Sequence, residues 1–211
     1  MTDPNKTLIV TVLDRSGSMH SIKHDMEGGF STFIDQQKAQ PGECLVSLYQ
    51  FDSIYEVVFE NKPIAEVSGL VLEPRGRTAL LDATGQTIVR VGAQLAILPE
   101  EKRPGAVIIQ IITDGEENDS KEFSRETVKS MIDTQQKDYN WQFLYLGTQA
   151  STFKNAKDLG IAQVAQFTAD QAGVKGMYDN VSEASTSYRR SVRSGNLNAK
   201  IDLGNNNKKS T

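Results

Sequence analysis

Five oxygen-bearing side chains stand where the sequence changes from one structural element to the next. Asp14 follows the apolar run 8–13, and Asp114 comes just after the apolar run 106–112. Three hydroxyls lie in the adjoining loop and at a later helix start: Ser16, Ser18 and Thr78. Two carboxylates brought close together repel one another, and a bound cation removes that repulsion. If the fold brings these segments together, the expected chemistry is cation binding.

The donor atoms of this set indicate which cation it would hold. All five side chains offer oxygen, and no Cys or His belongs to the set. Oxygen ligands favour a hard cation, so we predict Mg²⁺, with Mn²⁺ or Ca²⁺ tolerated and Zn²⁺ disfavoured. His20 and His24 have the four-residue spacing of a helical zinc pair. Because no third ligand lies near them in the sequence, we interpret them as part of a solvated helix face.

The elements that must position these side chains alternate along the chain. Apolar runs predict strands, and apolar residues at three- and four-residue steps between them predict helices. Runs 45–51 and 54–59 are separated only by Asp52 and Ser53, which predicts an antiparallel hairpin. The other predicted strands are connected through helices and should run parallel; they are 8–13, 106–112, 141–146 and 161–167.

These elements predict an α/β fold with a doubly wound, mostly parallel, Rossmann-like sheet and one antiparallel edge strand. Such sheets bind their ligands at the carboxyl ends of the strands. Asp14 and Asp114 both fall at such ends, so the architecture supports the predicted cation site.

Composition narrows the class of protein. The chain has 211 residues, 38% hydrophobic and 24% charged, which is typical of one globular domain without a membrane span. Its net charge of −4 makes nucleic-acid binding unfavourable. The single cysteine, Cys44, allows no intrachain disulfide, and no signal peptide precedes the first strand, so we expect a cytoplasmic protein.

We expect the domain to span residues 1–192, including a C-terminal helix. Residues 193–211 are rich in Asn, Ser, Gly, Lys and Arg and have few apolar side chains. This composition predicts a flexible polar and basic tail.

Three segments together resemble the von Willebrand factor A domain family. Segment 14–18 reads DRSGS and matches the family's DxSxS signature, while segments 76–80 and 113–115 resemble the two later parts of the same site. The similarity covers residues 6–168 in the motifs and in the order of elements. It is greatest to the stand-alone intracellular domains of bacteria and phages. In the family this set of residues is a metal-ion-dependent adhesion site.

The resemblance implies a function without catalysis. It makes Ser16, Ser18 and Thr78 direct ligands, while Asp14 and Asp114 would bind directly or through water. The remaining position on the cation would accept an Asp or Glu carboxylate from a partner protein. Intracellular relatives work with AAA+ ATPases, which suggests one class of partner. No membrane partner is implied.

Three alternatives remain open from the sequence. One is a Mg²⁺-dependent phosphohydrolase with Asp14 as nucleophile, but such enzymes need an acid two residues later, where this chain has Ser16. Another is a structural or accessory domain with a vestigial site. In the third, both acids only cap the helices that follow them. Other acids could be additional ligands or could support the ligands from behind, although we expect turn formers and solvated charges; these are Asp52, Asp82, Glu116, Glu117 and Asp119.

Overall fold

The computed structural model describes residues 1–204 of the chain. It contains six strands and five α-helices over that range. The strands are β1 (Asp3–Asp14), β2 (Glu43–Phe51), β3 (Tyr55–Pro63), β4 (Pro104–Thr113), β5 (Gln142–Gly147) and β6 (Gln163–Gln166). The helices are α1 (Lys23–Lys38), α2 (Leu80–Ile97), α3 (Arg125–Asp138), α4 (Thr152–Asp158) and α5 (Gln171–Arg193). A 3₁₀ helix, Gly17–Ile22, precedes α1.

The six strands form one sheet in the order β3-β2-β1-β4-β5-β6. Every neighbouring pair is parallel except β2 and β3, which are antiparallel. The predicted fold class is therefore confirmed. The runs 8–13 and 106–112 form the two central strands because they lack charged residues and can be buried on both faces.

Two layers of helices cover the sheet. One core packs α1 and α5 against one face, and the other packs α2, α3 and α4 against the opposite face. Gly29 allows α1 to approach α5, because a Cβ at this position would collide with the ring of Tyr178. Close packing of this kind offsets the cost of about 1 kcal/mol for glycine inside a helix.

The register of the central strands places both acids at the same edge. Leu13 of β1 pairs with Ile112 of β4. Asp14, the last residue of β1, and Asp114, which follows β4, therefore lie at the ends of neighbouring strands on the same edge of the sheet. A long segment without helix or strand, residues 67–79, then crosses this edge before α2 begins. Three loops therefore meet at this part of the carboxyl edge: the loop after β1, the segment 67–79 before α2, and the loop after β4.

The C-terminal segment differs from the predicted flexible tail. Residues 194–204 lie against the domain after α5 ends, with Ile201 and Leu203 buried. The backbone N–H of Ile201 donates to Gln142 Oε1 at 3.1 Å, and that of Leu203 donates to Gln163 Oε1 at 3.0 Å. A few apolar side chains within a polar sequence are thus enough to hold this segment on the sheet. The rest of the predicted tail, 205–211, lies outside the described residues.

Across residues 1–204, no helix combines the length and apolar character needed to cross a membrane.

Candidate metal centre

Asp14 lies at the base of the site and is held through both carboxylate oxygens. Its side chain is fully buried. The backbone N–H of Ser16 donates to Oδ1 at 2.6 Å, and the hydroxyl of Thr113 donates to Oδ2 at 2.6 Å. These two bonds fix the orientation of the carboxylate between β1 and β4.

The two serines of the first loop link Asp14 to Asp114. Ser18 Oγ donates to Asp114 Oδ1 at 2.6 Å, and it lies 3.1 Å from Ser16 Oγ. Ser16 is buried, whereas Ser18 is exposed at the surface. The site therefore opens to solvent on the side of Ser18.

Thr78 completes the set from the loop before α2. A Cβ added to Gly115 would lie 3.1 Å from Thr78 Oγ1, and 3.7 Å from both Asp14 Oδ2 and Ser18 Oγ. Three oxygens from two segments, the end of β1 with the loop that follows it and the loop before α2, therefore surround one small space, which is free because residue 115 is glycine. The structure brings all five predicted residues together.

Burial controls the protonation of the two acids. It raises the pKa of Asp14 from 3.8 to about 6; the bonds from Thr113 and Ser16 act in the opposite direction, and the charge of Asp114 adds to the increase. Burial also raises the pKa of Asp114, against the bond from Ser18. A second ionised carboxylate in this poorly solvated space is unfavourable, and a divalent cation would offset its cost. Both the free space and the donor set fit such a cation.

Thr113 belongs to the 113–115 segment but is not among the five predicted ligands. Besides donating to Asp14, its Oγ1 accepts a bond from the backbone N–H of Gly115 at 3.1 Å. It therefore positions both the buried carboxylate and the loop after β4. Its only signal in the sequence is its place next to Asp114.

Asn118 positions Thr78 and was also missed. Its Oδ1 accepts from the backbone N–H of Thr78 at 3.0 Å, and its own N–H donates to the Thr78 carbonyl at 3.0 Å. This pair of bonds joins the loop after β4 to the loop before α2. Nothing in the local sequence indicates it, because the partners are 40 residues apart.

Two of the additional acids hold the loop after β4 instead of facing the site. Glu117 Oε2 accepts from the backbone N–H of Leu81 at 2.9 Å. Asp82 accepts from three consecutive backbone N–H groups, those of residues 121–123. Both acids therefore fasten this loop to the first turn of α2, a more specific role than the predicted turn formers and solvated charges.

In the described part of the chain, no hydrogen bond joins the side chain of either histidine to these five residues. His20 and His24 are exposed, and His24 Nδ1 lies 3.3 Å from Glu27 Oε2. Within residues 1–204, no three side chains of the His, Cys, Asp and Glu types gather closely enough to hold a metal. A cation at the carboxyl edge would therefore depend on hydroxyls as well as on the two carboxylates.

No family model matches the sequence, and no curated protein is similar to it in sequence. Solved structures are similar in fold. Proximal thread matrix protein 1 from the mussel byssus, in a form with a zinc-occupied MIDAS motif, is 17% identical, with a TM-score of 0.60. The similarity covers 87% of this chain and 47% of the mussel protein, so this chain spans about half of that protein's length.

Two bacterial structures have the same fold. A von Willebrand factor type A structure from Catenulispora acidiphila is 14% identical over 86% of this chain and 43% of that chain, with a TM-score of 0.55. BatB, a conserved hypothetical protein from Bacteroides thetaiotaomicron, is 13% identical over 86% of this chain and 98% of its own, with a TM-score of 0.52. At these identities the comparisons establish the fold.

Proposed function

Because the chain has the von Willebrand factor A fold, we propose that it is a divalent-cation-dependent protein-binding module without catalytic activity. The main support is the convergence of Thr78 Oγ1, Asp14 Oδ2 and Ser18 Oγ on the space beside Gly115. The residues proposed to hold the cation are Asp14, Ser16, Ser18, Thr78 and Asp114.

The proposed ligands divide into two chemical types. Ser16, Ser18 and Thr78 would contribute neutral hydroxyls, and the two acids would bind directly or through water. A bound cation would offer a coordination position to an external carboxylate. Ser18 is the exposed member of the set, so we propose that the partner approaches from its side.

Mg²⁺ is the proposed cation, because all five ligands offer oxygen. Mn²⁺ and Ca²⁺ use similar ligands and should also bind. The mussel structure holds zinc in its MIDAS motif, so Zn²⁺ belongs among the ions to be tested. A hydroxyl-rich set without His or Cys suits Mg²⁺ by ligand type, and parallel titrations with Mg²⁺ and Zn²⁺ compare the two ions.

The proposed partner is a protein that presents an Asp or Glu side chain. An AAA+ ATPase is one class to test, by analogy with intracellular relatives. A cytoplasmic location is also proposed, since Cys44 is unpaired and buried.

A phosphohydrolase that uses Asp14 as its nucleophile has less support. Asp14 is fully buried, and both of its oxygens accept hydrogen bonds. A carboxylate in this position cannot readily approach a substrate phosphate. Hydrolysis of a phosphate ester by the wild type, lost in Asp14→Asn, would overturn the proposed function.

Calorimetric titration with Mg²⁺ tests the cation site directly. The wild type should bind one Mg²⁺ per chain, whereas Ser16→Ala should bind it at least about tenfold more weakly. Ser21→Ala is a matched control, because Ser21 Oγ only contacts the Ser18 carbonyl at 3.4 Å. No heat of binding with Mg²⁺, Mn²⁺, Ca²⁺ or Zn²⁺ would contradict the proposal.

A pull-down in Mg²⁺ and in EDTA then tests the protein-binding step. Partners should be retained by the wild type and Ser21→Ala in Mg²⁺, and released by EDTA. Capture that is equal in EDTA, or equal with Ser16→Ala, would show that binding does not use the cation.

A further inference from the structure

Asp52 lies beside the metal centre in a segment outside the three motifs. It follows β2 directly and precedes β3, and its side chain is 3% exposed. Its sequence context favours a hairpin turn, with a role beside the metal ligands as the alternative. Its contacts, however, reach two of the three loops that form the centre.

The carboxylate of Asp52 joins these two loops. Oδ2 accepts from Arg15 Nε at 3.1 Å and from Arg75 Nε at 2.8 Å. Arg15 stands between Asp14 and Ser16, and Arg75 stands three residues before Thr78. The other oxygen, Oδ1, accepts from the backbone N–H of Ile54 at 2.7 Å. Asp52 therefore holds the loop after β1 and the loop before α2 on a single carboxylate oxygen.

Backbone hydrogen bonds also join the loop before α2 to Arg15 and to Asp52. The N–H of Arg75 donates to the carbonyl of Arg15 at 2.8 Å, and the N–H of Ala79 donates to the carbonyl of Asp52 at 3.0 Å. Gly76 has a φ of 69°, and a Cβ there would lie 3.2 Å from Asp52 Cβ. The loop that contains Thr78 therefore runs directly over Asp52.

The buried charge of Arg15 makes its ion pair with Asp52 hard to replace. The Arg15 side chain is 5% exposed, and its Nη2 has no partner among residues 1–204. A buried guanidinium is stable only when it is paired. Glu56 also contacts Arg15, but Glu56 is 50% exposed and does not contact Arg75. Asp52 is thus the buried counter-charge, and without it Arg15 would be driven towards solvent together with its loop.

We propose that Asp52 is a positioning residue of the metal centre. By holding Arg15 and Arg75 on one carboxylate oxygen, it sets the separation between Ser16 and Thr78, and thereby the affinity for the cation. This inference rests on the proposed function, because it concerns the same cation.

Mg²⁺ titration of Asp52→Asn tests this role, with Glu56→Gln as the matched control. Residues that orient metal ligands typically change metal affinity by about 10- to 100-fold when replaced. We therefore expect Asp52→Asn to bind Mg²⁺ at least about tenfold more weakly, and Glu56→Gln to stay near the wild type. Thermal unfolding in EDTA gives the stability of each metal-free variant. A lower Tm with unchanged Mg²⁺ affinity would show a merely structural role and overturn the proposal.

Arg75→Ala provides a second test that does not depend on the folding of Asp52→Asn. The Arg75 side chain is 56% exposed, so its loss should leave the metal-free Tm nearly unchanged while weakening Mg²⁺ binding. Arg77→Ala is its control, since Arg77 is 72% exposed and lies 3.9 Å from Asp119. Equal Mg²⁺ affinity in Arg75→Ala and wild type would refute the positioning role alone. Failure of the wild type to bind any cation would instead refute the proposed function, and this inference with it.

Discussion

The hydroxyl of Thr113 donates to Oδ2 of Asp14 at 2.6 Å and so joins the ends of the two central strands across 99 residues of sequence. The bond lies within the buried base of the proposed metal centre, where each unpaired polar atom is costly. It makes the stability of the sheet edge and the geometry of the cation site depend on the same pair of side chains.

Thr113→Val should therefore affect both properties. Valine keeps the shape of threonine but leaves Asp14 Oδ2 without a donor, which should cost about 1–3 kcal/mol of unfolding free energy. Mg²⁺ affinity should fall as well, because the carboxylate is no longer held. Urea unfolding in EDTA and Mg²⁺ titration measure the two effects. Thr113→Ser keeps the hydroxyl and should remain close to the wild type; if it matches Thr113→Val, the hydrogen bond is not the cause.

The contribution of Asp14 to the stability of the metal-free protein should decrease as the pH rises. Burial raises the pKa of Asp14 from 3.8 to about 6. Since the folded state binds this proton more tightly than the unfolded state, the contribution is fully present below pH 3.8 and is lost as the pH rises through 6. A difference of one between the folded and unfolded pKa values corresponds to about 1.4 kcal/mol, so the total loss is about 3 kcal/mol.

Asp14→Asn isolates this contribution, because asparagine does not titrate. The difference in unfolding free energy between wild type and Asp14→Asn, measured in EDTA from about pH 4 to pH 7, should shift by about 2 kcal/mol against the wild type. A difference that is constant over this range would mean that Asp14 does not titrate there. Saturating Mg²⁺ should reduce the pH dependence, since cation binding favours the ionised form.

Gly115→Ala should block the cation without unfolding the domain. The added methyl would lie 3.1 Å from Thr78 Oγ1, inside the space that the site oxygens surround. Because metal–ligand distances tolerate deviations of only about 0.2 Å, Mg²⁺ affinity should fall by more than about tenfold. Gly17→Ala is the control in the same centre, as its Cβ would meet only the Gly76 carbonyl at 3.7 Å. Titration of both variants with Mg²⁺ makes the comparison, and equal affinity would place the cation elsewhere.

Ile201→Ala should destabilise the domain although residue 201 lies in a polar C-terminal stretch. Ile201 is 1% exposed, and truncation of a buried isoleucine typically costs about 2–5 kcal/mol. Urea unfolding measures the cost, with the exposed Asn198→Ala as a control. If both variants unfold at the urea concentration of the wild type, the segment does not contribute to the core.

The fold class and the first part of the site follow from local sequence patterns. Runs 8–13 and 106–112 contain no charged side chain, so they can be buried on both faces and become central parallel strands. Asp14 and Asp114 follow these runs, and parallel strands end at the same edge, so their proximity follows from the strand pattern alone. Ser16 and Ser18 are local to Asp14, and their place needs only the turn after β1.

The positions of the remaining site residues depend on contacts between distant segments. Thr78 follows a segment without a periodic pattern. Its position depends on hydrogen bonds to Asn118, which is 40 residues away. It depends also on the contact between Arg75 and Asp52, which are 23 residues apart. The packing of Ile201 likewise depends on Gln142, 59 residues earlier. Composition and spacing report local preferences, whereas these contacts arise only when distant loops meet at one edge of the sheet. For that reason the ligand types could be predicted, whereas the contacts by which Asp52, Thr113 and Asn118 hold them could not.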